Sequence, residues 1–145
     1  MTVTNVSCFG AGDGEASIIA DGVQPITYQW NANAGNQNTP TASGLSGGTY
    51  QVTITDGNDC IKVEEVMIAE PTPITAILTG EDVTCNGTAT GTANVAAAGG
   101  TGSFVYEWND TNMQQSDQIS DLNAGTYTVT ITDDNGCQVI DSLVI

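Results

Sequence analysis

Apolar and polar residues alternate along most of this chain with the two-residue period of strands that bury one face. Ile26, Tyr28 and Trp30 fall on one face of a strand, with Thr27 and Gln29 on the other. Tyr50, Val52 and Ile54 make a second such face, with Thr53 and Thr55 turned outward, where a branched side chain suits the pleat. Both faces recur later, as Phe104, Tyr106 and Trp108 and as Tyr127, Val129 and Ile131. No segment carries a helical stripe. DGND and DDNG each separate two strand patterns and read as hairpin turns, because Asn, Asp and Gly tolerate positive φ. In the strand that follows each turn the apolar phase changes, from Val63 to Val66 and from Ile140 to Leu143. An odd step flips sides and predicts a bulge in both strands.

The recurrence is an internal repeat, which overrides the single-domain expectation for 145 residues. CFGAGDGEASIIADGVQPITYQW returns as CNGTATGTANVAAAGGTGSFVYEW, and LSGGTYQVTITDGNDC as LNAGTYTVTITDDNGC. Pro71 and Pro73 cannot donate ladder hydrogen bonds and mark a linker, giving units at residues 1–70 and 71–145. Short strands punctuated by turns predict an all-β fold of two tandem immunoglobulin-like β-sandwich repeats. The segments LSGGTY and LNAGTY have the form of a tyrosine corner, a role that falls to Tyr50 and Tyr127. Trp30 and Trp108 are the other expected core aromatics. PITAIL gives the second unit an opening strand, most of which the first unit lacks.

Charge narrows the partners. The only basic side chain is Lys62, there is no His, and 17 Asp plus Glu give a net charge of −16. Such a chain repels nucleic acid, whose binding depends on Lys and Arg neutralising phosphates, and it repels anionic membrane surfaces. No apolar run is long enough for a membrane span, so no membrane insertion is expected. MTVTNVS has neither a basic n-region nor an apolar h-region; Met1 sits directly on a strand pattern, as a start added to a segment of a longer chain would. Catalysis is not expected: a nucleophilic Ser or Cys needs a base, usually His, and no second Lys serves the other unit.

Four cysteines allow three pairings. Cys8 and Cys60 are 52 residues apart, as are Cys85 and Cys137. Pairing Cys8 with Cys60 and Cys85 with Cys137 treats the repeats alike and is the expectation. Each bond would contribute roughly 4 kcal/mol in the loop-entropy view, a large share for a unit of this size. Free buried thiols in a reducing compartment are the alternative. A Cys8–Cys60 bond would also bring Asp13 toward Asp56, Asn58 and Asp59, offering oxygens to Ca²⁺. In the second unit Asp133 and Asp134 make the corresponding candidate, but Thr90 stands where Asp13 would. Turn chemistry is the competing explanation for these residues. The loop NANAGNQNTPTASG offers amides to a surface glycan, or is simply solvated.

The ordered anchors Cys8, Trp30, Tyr50, Asp56 and Cys60, then Cys85, Trp108, Tyr127, Asp133 and Cys137, resemble the SprB repeat. SprB repeats occur in large cell-surface adhesins of Bacteroidetes, including those used in gliding motility. The resemblance implies a non-catalytic spacer or adhesion module of an extracellular protein exported by the type IX system. Its implied partners are neighbouring repeats of the same protein, with self-association into a filament through strand addition as a further expectation.

Overall fold

The computed structural model describes residues Met1–Ile145 and is all-β apart from one short 3-10 turn. The chain divides into two units, Met1–Pro71 and Thr72–Ile145. The first unit holds β1 (Thr2–Thr4), β2 (Gly14–Ser17), β3 (Thr27–Trp30), β4 (Thr41–Leu45), β5 (Gly48–Thr55) and β6 (Ile61–Ile68). The second holds β7 (Thr75–Glu81), β8 (Gly91–Ala98), β9 (Phe104–Trp108), β10 (Gln118–Leu122), β11 (Thr126–Asp133) and β12 (Gln138–Val144).

Each unit is two three-stranded antiparallel sheets with the same connectivity: β1-β2-β4 with β3-β5-β6, and β7-β8-β10 with β9-β11-β12. In order these strands correspond to A, B, C, E, F and G of an immunoglobulin-like sandwich, with A-B-E in one sheet and C-F-G in the other. Apolar faces of both sheets close over separate cores. Trp30, Leu45, Val52 and Ile68 are fully buried in the first, and Ile119, Val129 and Ile131 in the second, where Trp108 is also buried.

The expected bulges are elsewhere. β5 pairs with β6 without interruption from Gly48↔Ile68 to Thr55↔Ile61, and β11 with β12 from Thr126↔Val144 to Thr132↔Gln138. Val63 and Ile140 are exposed apolar residues on the outer face, 55% and 64% accessible, so the odd step is an outward side chain and not a slip of register. The irregularities lie in the other sheet. β2 and β4 shift at Gly44 (φ 70°), and β8 and β10 shift at Asp121 (φ 60°). A residue in the left-handed region at this position is how a bulge absorbs its extra residue.

The opening strands differ as the sequence implies. β7 pairs along seven residues of β8, while β1 pairs along three of β2. Beyond that short pairing Ile19 stands exposed, and a shallow groove of about 430 Å³ runs between Met1, Ile18, Ile54 and Lys62.

Candidate functional site

The cysteines are the chain's most reactive groups, and the strands place the two of each unit at opposite poles. In the first unit Cys60 ends the hairpin between β5 and β6. That hairpin lies where the chain enters: Met1 lines the same groove as Lys62. Cys8 lies in the loop between β1 and β2, at the pole where the chain leaves. There the Val6 N–H donates to the Ala69 carbonyl (3.0 Å) and the Gly10 N–H to Glu70 Oε1 (2.7 Å). Between the poles runs β6, whose eight residues cover about 26 Å at roughly 3.3 Å per residue.

The second unit repeats this. Cys137 ends the hairpin between β11 and β12, beside the entering chain. Asp133 there accepts the Thr101 N–H (2.8 Å), and Gly100 donates to the Thr72 carbonyl (2.9 Å). Cys85 lies in the loop between β7 and β8, at the leaving pole, where an added Cβ at Gly91 would fall 2.5 Å from Ile145 Cγ2.

The expected pairing is therefore corrected. A disulfide needs Cα atoms within about 7 Å, which two poles separated by the length of β6 or β12 cannot offer. Cys60 and Cys85 carry free, exposed thiols, whereas Cys8 and Cys137 are each disulfide-bonded. Antibody domains place a cysteine two residues after the corner tyrosine, inside the sandwich. Here those positions are Val52 and Val129, both buried, so the core is closed without a bond.

The proposed cation ligands are separated by the same geometry. Asp13 sits at the Cys8 pole and Asp56, Asn58 and Asp59 at the Cys60 pole. No group of three or more His, Cys, Asp or Glu side chains converges anywhere. Each carboxylate instead closes its own loop. Asp13 accepts both the N–H and the hydroxyl of Ser7, and the hydroxyl first and then the N–H hold its carboxyl below the usual range. In the second unit Thr90 does the same work with its hydroxyl, accepting the Thr84 N–H at 3.0 Å. A neutral residue can replace Asp13 because the loop needs an acceptor and not a charge.

Asp56 Oδ1 accepts the N–H groups of Asn58 (2.9 Å) and Cys60 (3.0 Å), and Oδ2 that of Val23 (3.3 Å). The Cys60 N–H leads the effects that lower its pKa. Asp133 accepts from Asn135, Cys137 and Thr101 in the same way. Burial pushes the Asp133 carboxyl up, but the backbone N–H donors, Cys137 first among them, outweigh it and the net shift is downward. These two aspartates tie each hairpin to the loop that precedes β3 or β9. Asn58, Asp59 and Asp134 are exposed turn residues.

The aromatic anchors are fixed by hydrogen bonds. Tyr50 Oη donates to the Ser46 carbonyl (2.9 Å) and Tyr127 Oη to that of Asn123 (3.0 Å), the two tyrosine corners. Trp30 Nε1 donates to Thr39 O and Trp108 Nε1 to Ser116 O, both at 2.9 Å. Sequence reasoning missed the glutamines behind them. Gln37 Nε2 donates to the carbonyls of Ala34 and Ser43, and its Oε1 accepts the Ser43 N–H. Gln114, held by the buried Asp110, reaches the Ser120 carbonyl. A Gln six or seven residues after each Trp is the available signal. The first of these loops, the glycan candidate, is thus largely hydrogen-bonded to itself.

These features define a tandem pair of immunoglobulin-like β-sandwiches, each with a tyrosine corner and a buried strand-C tryptophan. The SprB repeat model matches residues 1–35 and 78–113. Each match covers the loop cysteine, the glycines that follow it and the region of the tryptophan. No curated protein matches the chain. Among solved structures it is similar to an amphioxus IgVJ-C2 molecule, at 12% identity and a TM-score of 0.39, covering 93% of this chain and 97% of that one. It is also similar to a structure described by the basis of Dscam isoform specificity, at 10% identity and a TM-score of 0.40, covering 94% and 42%. A third, Dpr11 IG1 bound to DIP-gamma IG+IG2, has 13% identity and a TM-score of 0.37, covering 99% and 94%. No helix is long and apolar enough to cross a membrane.

Proposed function

We propose that this chain is a non-catalytic segment of a secreted surface adhesin, in which successive SprB repeats act as spacers that carry an adhesive end away from the cell. One observation carries this reading. In each unit the chain enters at the hairpin pole and leaves at the opposite pole, so each repeat advances the polypeptide by about the length of β6 or β12. A ligand-binding domain has no need to be traversed in this way; a spacer does. The family match to a repeat of cell-surface adhesins supports the extracellular setting, and the acidic surface suits a solvated fibre.

Single-molecule stretching of the reduced chain tests the reading. Two unfolding steps of equal size are expected, each releasing roughly 20 nm for a unit of about 70 residues at about 3.5 Å per residue. One cooperative step for the whole chain would contradict it. A tight, selective hit on a glycan array would transfer the function from spacing to binding.

A further inference from the structure

We propose that the groove beside Met1 is a strand-receiving site, and that its occupant is an extended aliphatic segment joined in cis to Met1, of the kind the chain itself carries at residues 74–77. The site is separate from the spacer role proposed above and concerns the first unit alone.

The second unit shows the filled form. Both units open with the same register. The pairs Thr2↔Ser17, Val3↔Ala16 and Thr4↔Glu15 recur 77 residues further on as Thr79↔Asn94, Gly80↔Ala93 and Glu81↔Thr92. In the second unit the ladder continues through Leu78↔Val95, Ile77↔Ala96 and Ala76↔Ala97. In the first it stops at Thr2, and the positions equivalent to Val95, Ala96 and Ala97 are Ile18, Ile19 and Ala20. Ile19 is 88% exposed.

The backbone is set for the missing strand. The Ile18 N–H donates to the Pro40 carbonyl (3.0 Å), just before β4, and the Val95 N–H to the Asp117 carbonyl (2.8 Å), just before β10. Successive residues of an antiparallel strand bond to opposite sides, so the N–H and C=O of Ile19 turn to the edge where Ala96 meets Ile77 in the other unit. An edge left open in this way is a template for a further strand.

The side chains agree. Ile74, Ala76 and Leu78 pack against the core of the second unit. Where that unit has Val95, Ile131 and Val139, the first has Ile18, Ile54 and Lys62, and these line the groove with Met1. Lys62 bonds Glu64 at 2.6 Å, which holds its ammonium at the rim and leaves its stem as groove wall. An added strand gains main-chain bonds from the edge and specificity from every second side chain. β1 already holds this edge as far as Thr2. A strand from a second copy would have to end against Met1, whereas a segment joined to Met1 runs straight on.

The test places a second copy of residues 71–77 directly ahead of Met1 in the full chain, which sets Ile77 of the copy opposite Ile19 and Ala76 opposite Ala20. The controls are a Gly-Ser extension of equal length and a copy carrying Ala76→Asp, which turns a charge toward the core. Amide exchange followed by nuclear magnetic resonance reads Ile19, urea denaturation reads the stability of the first unit, and light scattering reads mass. With the copied segment the Ile19 amide should exchange at least about tenfold more slowly and the urea midpoint should rise, in a protein that stays monomeric. Neither control should do this. Exchange of Ile19 at the parent's rate, or equal protection by either control, would overturn the proposal. So would protection that appears only with a dimer, because the segment would then sit on a second copy. Two equal stretching steps in a chain that gains no protection would remove the strand site and leave the spacer reading standing.

Discussion

Three glycines in one loop separate two physical demands that the sequence writes identically. Gly10, Gly12 and Gly14 lie between Cys8 and β2, and the last opens that strand. An added Cβ at Gly14 would lie 2.7 Å from the Leu45 carbonyl oxygen and 2.8 Å from Ile68 Cγ2. Leu45 O belongs to β4, whose register with β2 begins at the Gly14↔Leu45 pair, so it cannot retreat without disturbing the sheet. Ile68 is 2% exposed and has nowhere to turn. Overpacking of this kind costs about 1–3 kcal/mol. For a unit of about 70 residues that lowers Tm by roughly 4 to 24 °C. At Gly10 the space is open, with nothing within 4 Å, but φ is +78°. Gly10→Ala therefore carries only a backbone cost, about 1 kcal/mol. At Gly12 the nearest atom is 3.7 Å away and no left-handed φ is needed. Gly12→Ala should fall within about 0.5 kcal/mol of the parent. Urea denaturation followed by tryptophan fluorescence ranks the three variants, with the Trp30 transition reporting the first unit. A Gly14→Ala protein as stable as Gly12→Ala would refute the packing argument.

Two further outcomes follow from the hairpins. Asp59 sits at φ +62° where the second unit has Gly136 at φ +80°, so Asp59→Gly should raise the urea midpoint of the first unit by an amount equivalent to about 0.5–1 kcal/mol. For pH, the folded-state pKa of Asp133 lies below its ordinary value of 3.8. Above that value both states are ionised and the stabilisation is fully present; it is lost as pH falls through the lower, folded-state pKa. Asp133→Asn should therefore be less stable than the parent at pH 7, and the gap should shrink as pH falls below 3.8 through the folded-state pKa. Using the difference between two proteins cancels the general effect of neutralising an acidic surface, and a gap that persists unchanged into acid would contradict the assignment.

Much of the fold is legible in the sequence because its signals are local. Alternation sets which of Tyr28, Trp30, Val52 and Ile54 turn inward, and the Asp and Asn turns mark the hairpins. The position of Tyr50 five residues after Leu45 identifies the corner. The bulges are not legible in this way, because Val63 and Ile140 are apolar yet face solvent, and periodicity assumes that apolar residues face the core. Gly44 and Asp121, which do carry the bulges, differ in side chain and share only a tolerance of positive φ. The cysteines illustrate a different gap. Equal spacing within each repeat says which cysteines correspond, and not how far apart the strands carry them. Strand direction decides: the loop cysteine follows the first strand and the hairpin cysteine precedes the last, and those two strands run the same way. The same fact separates Asp13 from Asp56, which the intra-repeat bond would have brought together. Glu70 had no visible signal, because its partner is a backbone group that no sequence pattern marks.

Disulfide mapping tests the opposite-pole geometry most directly. The oxidised, thiol-blocked protein is digested without reductant, and the linked peptides are identified by mass spectrometry. The account predicts that neither Cys8–Cys60 nor Cys85–Cys137 is found, and that Cys60 and Cys85 carry the blocking group. Recovery of either intra-repeat pair as the main species would mean that the two ends of a sandwich meet, and would contradict it.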